Sequence, residues 1–441
     1  MSRPLAILDW AALDEARRTE LLRRPAQRDA AGLLERVRRI VDDVRARGDE
    51  ALRDYTETLD RVRLESFLVS AEEFAAAEAA LSAEQRAALE RAIGTVTRFH
   101  ELQSLAPLRL ETAPGVVCER VTVPLDAVGL YVPAGTAPLP STALMLAVPA
   151  RIAGCPVRVM CTPPRSDGSA DPAVLVAARL CGVSQVFKLG GAQAVAAMAY
   201  GTASVPKVVK IFGPGNSWVT AAKQLVAQDA DGAAFDMPAG PSEVLVVADA
   251  TARPAFVAAD LLAQAEHSPD AQVVLVTTSR ALAEECVAEV ERQLAVLPRR
   301  EIAARSIAES RVLVVPDLAT AMDVSNRYAP EHLILQVAEP RRLLADVRNA
   351  GSVFLGAWTP ETMGDYCSGT NHVLPTYGHA RAYSGLGVPD FVKRITVQEL
   401  SPEGLARLGP TARTLARLES LDAHANAVTV RLDALTVGSR A

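Results

Sequence analysis

Over the first hundred residues apolar positions return every three or four, with Leu33, Leu34, Val37, Ile40, Val41 and Val44 on one stripe and charged residues between them. That spacing predicts amphipathic helices whose apolar face needs a partner. From about Val128 the pattern changes to short β-branched runs at 128–132, 157–161, 185–189, 208–212, 244–247, 273–277, 312–315, 332–336 and 352–355. Helix-length segments separate the runs, which predicts an α/β fold of βαβ units and mostly parallel sheet. After about Asp390 no strand pattern is expected. Segments 402–408 and 411–424 predict a small helical appendage that packs elsewhere, on another subunit.

At 441 residues the chain exceeds one hydrophobic core, and about 150 residues per domain predicts two to four domains. Hydrophobic residues make up 49% but aromatics only 4%, so Ala, Val and Leu must fill the interior. That suits helices on a parallel sheet better than an aromatic-rich sandwich. A net charge of −6, mixed in sign along the chain, leaves no basic footprint for a nucleic acid. Cys118, Cys155, Cys161, Cys181, Cys286 and Cys367 form no Cys-x-x-Cys pair, which excludes a zinc knuckle or dithiol motif. Buried thiols in a reducing compartment are expected. No apolar run reaches the ~18 residues that span a bilayer, and no signal peptide is visible, so a cytoplasmic location without membrane contact is expected.

Four features could carry chemistry. Gln264 and His267 lie three apart on a predicted helix from 254 ended by Pro269, so both face one side and can share a metal, or merely cap the helix. Glu331 and His332 form a plausible acid–base pair at a strand start, provided the turn before it re-aims the glutamate; otherwise they are a solvated Glu and a capping His. The polar stretch 364–372 suggests ligand contact, with Asp365 a hard ligand to join Gln264 and His267. Glycine turns follow two strand runs, at 190–194 and 213–216, and either could hold a nucleotide phosphate at a helix start.

Six strings occur in one order: GLYVPAG at 129–135, FGPGN at 212–216, DMPAGPSE at 236–243, QAEH at 264–267, PEHL at 330–333 and SGTNHVLPT at 368–376. Together they resemble the histidinol dehydrogenase family, from about residue 30 to the final helix. Ala357 departs from the family pattern, outside the matched positions. The resemblance implies two incomplete Rossmann-like parallel-sheet domains, a helical N-terminal segment and a helical C-terminal tail. The implied layout is a segment 1–30, a discontinuous domain 31–130 with 244–388, an NAD-side domain 131–243, and a tail 389–441 reaching the partner of a homodimer.

The resemblance also implies a zinc-dependent, NAD-linked oxidation of L-histidinol through L-histidinaldehyde to L-histidine. By it, Gln264, His267, Asp365 and His424 match zinc ligands, and Glu331 and His332 the acid–base pair. Tyr131, Gln193 and Asn216 match NAD contacts. Ser242, His372 and Glu419 match substrate contacts, with Glu331 and the four ligand residues beside them. His424 and Glu419 would complete the other subunit's site. Two different readings compete: a dehydrogenase of another amino alcohol, and a non-catalytic metal or amine binder. A rival chemistry traps the aldehyde on a thiolate of Cys118, Cys155 or Cys367.

Overall fold

All nine β-branched runs form strands, and burial on both faces accounts for their near-continuous apolar character. The computed structural model describes residues 5–24, 31–134, 137–238 and 240–438. Gly135, Ala239 and residues 25–30, which belong to expectations above, lie outside the described residues. The chain divides into two compact units, 1–103 with 125–391, and 104–124 with 392–441.

The larger unit contains two parallel sheets. One has five strands in the order Gln185–Lys188, Val157–Thr162, Ala127–Tyr131, Lys210–Phe212, Ala234–Phe235. Alternate residues feed two cores: Val128, Leu130 and Met160 pack with helices Pro140–Ile152 and Pro172–Leu180, while Val159 and Cys161 pack with Gly191–Tyr200 and Ser217–Ala227. The other sheet has six strands, Ala6–Asp9, Arg311–Val314, Gln272–Thr277, Glu243–Ala248, His332–Gln336 and Ser352–Leu355 in spatial order. Helices Pro254–Ala265, Arg280–Leu294 and Arg300–Ala308 cover one face, and Leu318–Tyr328 covers the other. These are two Rossmann-like halves.

The N-terminal segments pack differently from the expected layout. Residues Ala6–Asp9 are an edge strand of the six-stranded sheet and not helix. Helix Ala31–Arg47 buries Val37, Ile40, Val41 and Val44 against Gly191–Tyr200 and Ser217–Ala227, so it covers the five-stranded sheet and not the domain of 244–388. An amphipathic stripe specifies that a face is buried, and it does not specify against which sheet.

The smaller unit corrects the expectation of a purely helical tail. Val392–Leu400 is a strand, paired antiparallel with Val116–Pro124, which in turn pairs with Leu108–Ala113. Its apolar residues Ile395 and Val397 are exposed and stand among polar and charged ones, and its partner lies far back in the chain. The expected break near 409 is also absent: Pro402–Leu418 is one helix with Pro410 inside it, and the chain turns at Ser420, φ +59°. Gly409 lets this helix approach Val428 and Leu432 of the helix Asp422–Gly438. None of the described helices is long and apolar enough to cross a membrane.

Candidate active site

The helix Leu318–Tyr328 ends at Ala329, whose φ of +54° reverses the chain and delivers Pro330 and Glu331 to the start of the strand His332–Gln336. The re-aiming turn that the Glu331-His332 pair required is therefore present. Both side chains are buried, with Glu331 Oε2 3.7 Å from His332 Nδ1. The neighbouring strand fixes them from the side: the Glu243 N–H donates to Glu331 Oε2 at 2.9 Å, and the Glu243 carbonyl lies 3.2 Å from His332 Nδ1. With Nδ1–H donating to that carbonyl, Nε2 becomes the acceptor whenever the ring is neutral.

Facing this pair is the helix Glu361–Tyr366, which packs against Pro254–Ala265. Asp365 Oδ1 stands 3.6 Å from His332 Nε2, and Glu361 Oε1 3.9 Å from Nδ1. Glu361 was missed by the sequence reading, although Glu361 and Asp365 four apart at a helix start share a face. Donor atoms of His267, Glu361 and Asp365 all lie within 4.8 Å of one another. Gln264 occupies the last turn of its helix, fully buried, and neither end of its amide has a partner. His267 follows in the turn, its N–H donating to the Gln264 carbonyl at 3.2 Å. An orphaned amide, an imidazole and clustered carboxylates form a nitrogen and oxygen donor set that fits zinc or a similar dication.

The electrostatics point the same way. Burial raises Glu331 to about 8, with the Glu243 and Asp365 charges adding, against opposition from His332 and the Glu243 N–H. Burial also drives Glu361 well above the carboxylate range, and takes nearby Asp260 to about 7. For His332, burial disfavours the cation, but Glu361, Glu331 and Asp365 together outweigh it and raise its pKa well above the ordinary value. Asp365 is lowered: burial opposes ionisation, and the hydrogen bond and charge of His332 overcome it, helped by His372 and His267. His267 and His372 are lowered by desolvation; solvent reaches the His267 ring, but the atoms crowded around it remove much of its hydration. Excess buried carboxylate is costly without a cation to balance it.

The five-stranded sheet presents a second group at its carboxyl edge. Ala127–Tyr131 and Lys210–Phe212 are adjacent, and the connections leave them in opposite directions, the switch point where open α/β sheets bind ligands. Tyr131 ends one strand, and its hydroxyl accepts from the Gly191 N–H at 3.0 Å. Gln193 is buried on the helix after that glycine turn, with its Oε1 unpartnered. Gly213 follows the other strand with φ +119°, where any Cβ would fall 2.1 Å from the Tyr131 carbonyl. Asp236 and Lys223 tie this turn, by Gly213 N–H to Asp236 Oδ2 at 2.7 Å and Lys223 Nζ to the Gly213 carbonyl at 2.7 Å. Asn216 is exposed and caps the next helix through its Oδ1, leaving its amide N–H₂ toward solvent.

Ser242 is half-buried and directly precedes Glu243. His372 is half-buried beside Asn371, which anchors this loop by donating to the Met145 carbonyl at 2.7 Å and accepting from the Val373 N–H at 2.9 Å. Glu419 and His424 belong to the smaller unit, exposed at the end of one helix and the start of the next.

A family model of histidinol dehydrogenases matches residues 22–432, which include every candidate site residue named above. The chain belongs to the histidinol dehydrogenase family. It is 60% identical over 428 residues to a histidinol dehydrogenase of Xanthomonas euvesicatoria, covering 97% of this chain and 99% of that one. It is 54% identical over 427 residues to a histidinol dehydrogenase of Vibrio parahaemolyticus, covering 97% and 98%. The crystal structure of a histidinol dehydrogenase from Elizabethkingia anophelis superposes with a TM-score of 0.94 at 43% identity, covering 99% of this chain and 100% of that one. Within this histidinol dehydrogenase fold, no cysteine joins the donor cluster among the described residues. Cys155 is buried, and that burial raises its thiol, which disfavours a thiolate there.

Proposed function

We propose that this chain oxidises L-histidinol through L-histidinaldehyde to L-histidine, with NAD as acceptor and zinc as its metal, in histidine biosynthesis. Family membership supplies the substrate. The observation that carries the chemistry is the buried convergence of Glu331, His332, Glu361 and Asp365, with an unpartnered Gln264 amide on the helix packed against Glu361–Tyr366. Gln264, His267 and Asp365 would hold the metal, with Glu361 within reach of the same point and His424 of the partner subunit completing the set. Zinc there supplies a Lewis-acidic anchor that orients the substrate and balances the carboxylates. NAD, held by Tyr131, Gln193 and Asn216, supplies the hydride acceptor for each of two oxidations.

The chain's own residues move the protons. His332 Nε2 takes the hydroxyl proton of the alcohol as hydride leaves its carbon, and the Glu243 carbonyl on Nδ1 keeps the ring oriented. Glu361 and Asp365, which favour a proton on His332, would be balanced by a cation held there, and this would leave His332 able to act as a base. Glu331, raised to about 8, then takes a proton from the water that adds to the aldehyde carbon, which gives the gem-diolate from which the second hydride leaves. Alcohol, water and two NAD⁺ become carboxylate, two NADH and three protons. Ser242, His372 and the partner's Glu419 would contact the substrate alongside the ligand residues.

Two measurements test this reading. Zinc-loaded protein should yield two NADH per L-histidinol; none, with histidinol or other amino alcohols, would favour a binding protein. Exposed Leu408, Leu415, Leu418 and Leu421 on the smaller unit support burial of that face against a second copy. Mixed and refolded His267→Ala and His424→Ala subunits should regain about a quarter of the sites, because only a shared site lets one heterodimer half be intact. No regain would place His424 in its own chain's site or outside it.

A further inference from the structure

Arg24 lies in the N-terminal segment that no motif singled out, yet its side chain is 5% exposed and its guanidinium is bound on several sides. Its Nε and one Nη donate to the two carboxylate oxygens of Glu243 at 2.5 and 2.7 Å, and that Nη also reaches the carbonyls of Tyr328 at 2.8 Å and Ala329 at 3.3 Å. The guanidinium sits over the Tyr328 ring, 4.0 Å from its centroid, and the Tyr328 hydroxyl lies 3.2 Å from Glu243 Oε2. Glu243 is itself 1% exposed. The bidentate, stacked geometry is one that Arg provides and Lys does not.

What Arg24 holds is the frame of the acid–base pair. The backbone N–H and carbonyl of Glu243 bond Glu331 and His332 respectively, so any shift of that residue displaces both. Ala329, in a left-handed conformation that strains a non-glycine residue, sets the direction in which the chain enters Glu331, and its carbonyl is one of Arg24's acceptors. We propose that Arg24 is a positioning residue: through Glu243 and the carbonyls of Tyr328 and Ala329 it fixes the orientation of Glu331 and His332 without touching substrate. This rests on the acid–base reading of that pair given above.

A cavity of about 920 Å³, lined by Trp10, Arg18, Arg23, Arg24 and Tyr377 among others, gives small solutes access to Arg24 and makes chemical rescue practicable. The experiment compares zinc-loaded Arg24→Lys, Arg24→Ala and Glu331→Gln with the parent. Arg24→Lys should lose about tenfold in kcat, and Arg24→Ala about a hundredfold, with KM for histidinol and NAD and the zinc content nearly unchanged, as misplacement of catalytic groups predicts. Methylguanidinium at tens of millimolar should restore much of the Arg24→Ala loss, and methylammonium should not. A folded Arg24→Lys with parental kcat overturns the proposal, and so does a loss shared equally by KM, zinc and thermal stability that methylguanidinium leaves untouched. If Arg24→Ala does not fold, Arg24→Lys decides alone, because it keeps the charge opposite Glu243 and loses the fork. Parental kcat in Glu331→Gln would sink the acid–base reading itself, whereas an impaired Glu331→Gln beside a normal Arg24→Lys would sink only this inference.

Discussion

Replacing Gln264 by Met should make the metal-free protein more stable and shrink the extra stability that zinc confers. The Gln264 side chain is fully buried, and both its amide nitrogen and its oxygen lack partners. An unsatisfied buried polar group costs about 1–3 kcal/mol, so the two ends together hold roughly 2–6 kcal/mol of destabilisation in the metal-free protein. Methionine has similar volume and enough flexibility to fill the site without strain, which removes most of that cost. For the larger unit, 1–103 with 125–391, an unfolding entropy of about 2.1 cal/mol/K per residue turns this into a rise of about 3–8 °C in Tm. Loss of one ligand should weaken zinc by tenfold or more, and so reduce the zinc-dependent stabilisation by about 1.4 kcal/mol or more at fixed zinc. The assay is thermal unfolding of both proteins, chelator-treated and at several zinc concentrations. A metal-free variant less stable than the parent would show that the amide is satisfied. Equal zinc-dependent shifts in both proteins would remove Gln264 from the ligand set.

Glu331→Gln should oxidise histidinol once and release the aldehyde, so that NADH per substrate falls from two toward one; an unchanged yield would refute the hydration role. Lys223→Met leaves Asp236 buried and unpaired, which costs about 3–5 kcal/mol, and loosens the Gly213 turn. Its KM for NAD should rise while zinc content holds, and an unchanged KM would separate this turn from the cofactor. His100 is held neutral by burial, with its pKa lowered despite hydrogen bonds to the Val96 and Leu386 backbone. The unfolded chain takes up that proton below about 6.5 and the native one resists it, so His100 costs stability as pH falls through that value. Urea unfolding at pH 7.5 and 5.5 should show a smaller acid loss in His100→Gln than in the parent, and equal losses would contradict this assignment.

The α/β class was legible because period is a local property: every one of the nine short β-branched runs became a strand, and the stripe from Val37 to Val44 became a buried helix face. Ala6–Asp9, Ala234–Phe235 and Val392–Leu400 were not legible. The first two are very short, and the third is exposed along its length, so none carries the alternation or apolar run that burial imposes. Much of the site could also be read locally. Gln264 and His267 are three apart, and Glu331 and His332 adjacent, so spacing alone brings each pair together. Glu361 announced itself only through its four-residue distance from Asp365, and one carboxylate at a helix start is ordinarily a favourable end charge with no further role.

The sequence by itself determined which stretches became helix or strand and which residue types could bind a metal, move protons or approach a phosphate, since these follow from side-chain chemistry and short-range periodicity. Tertiary structure alone decided which stretches meet. It placed the helix of 31–47 on the five-stranded sheet, gave Val392–Leu400 a partner in Val116–Pro124, and set Glu361 and Asp365 against His332. It also put Arg24 on Glu243, more than two hundred residues away. Those pairings depend on desolvation and on the hydrogen-bond demands of buried groups, and such demands exist only once packing has excluded water.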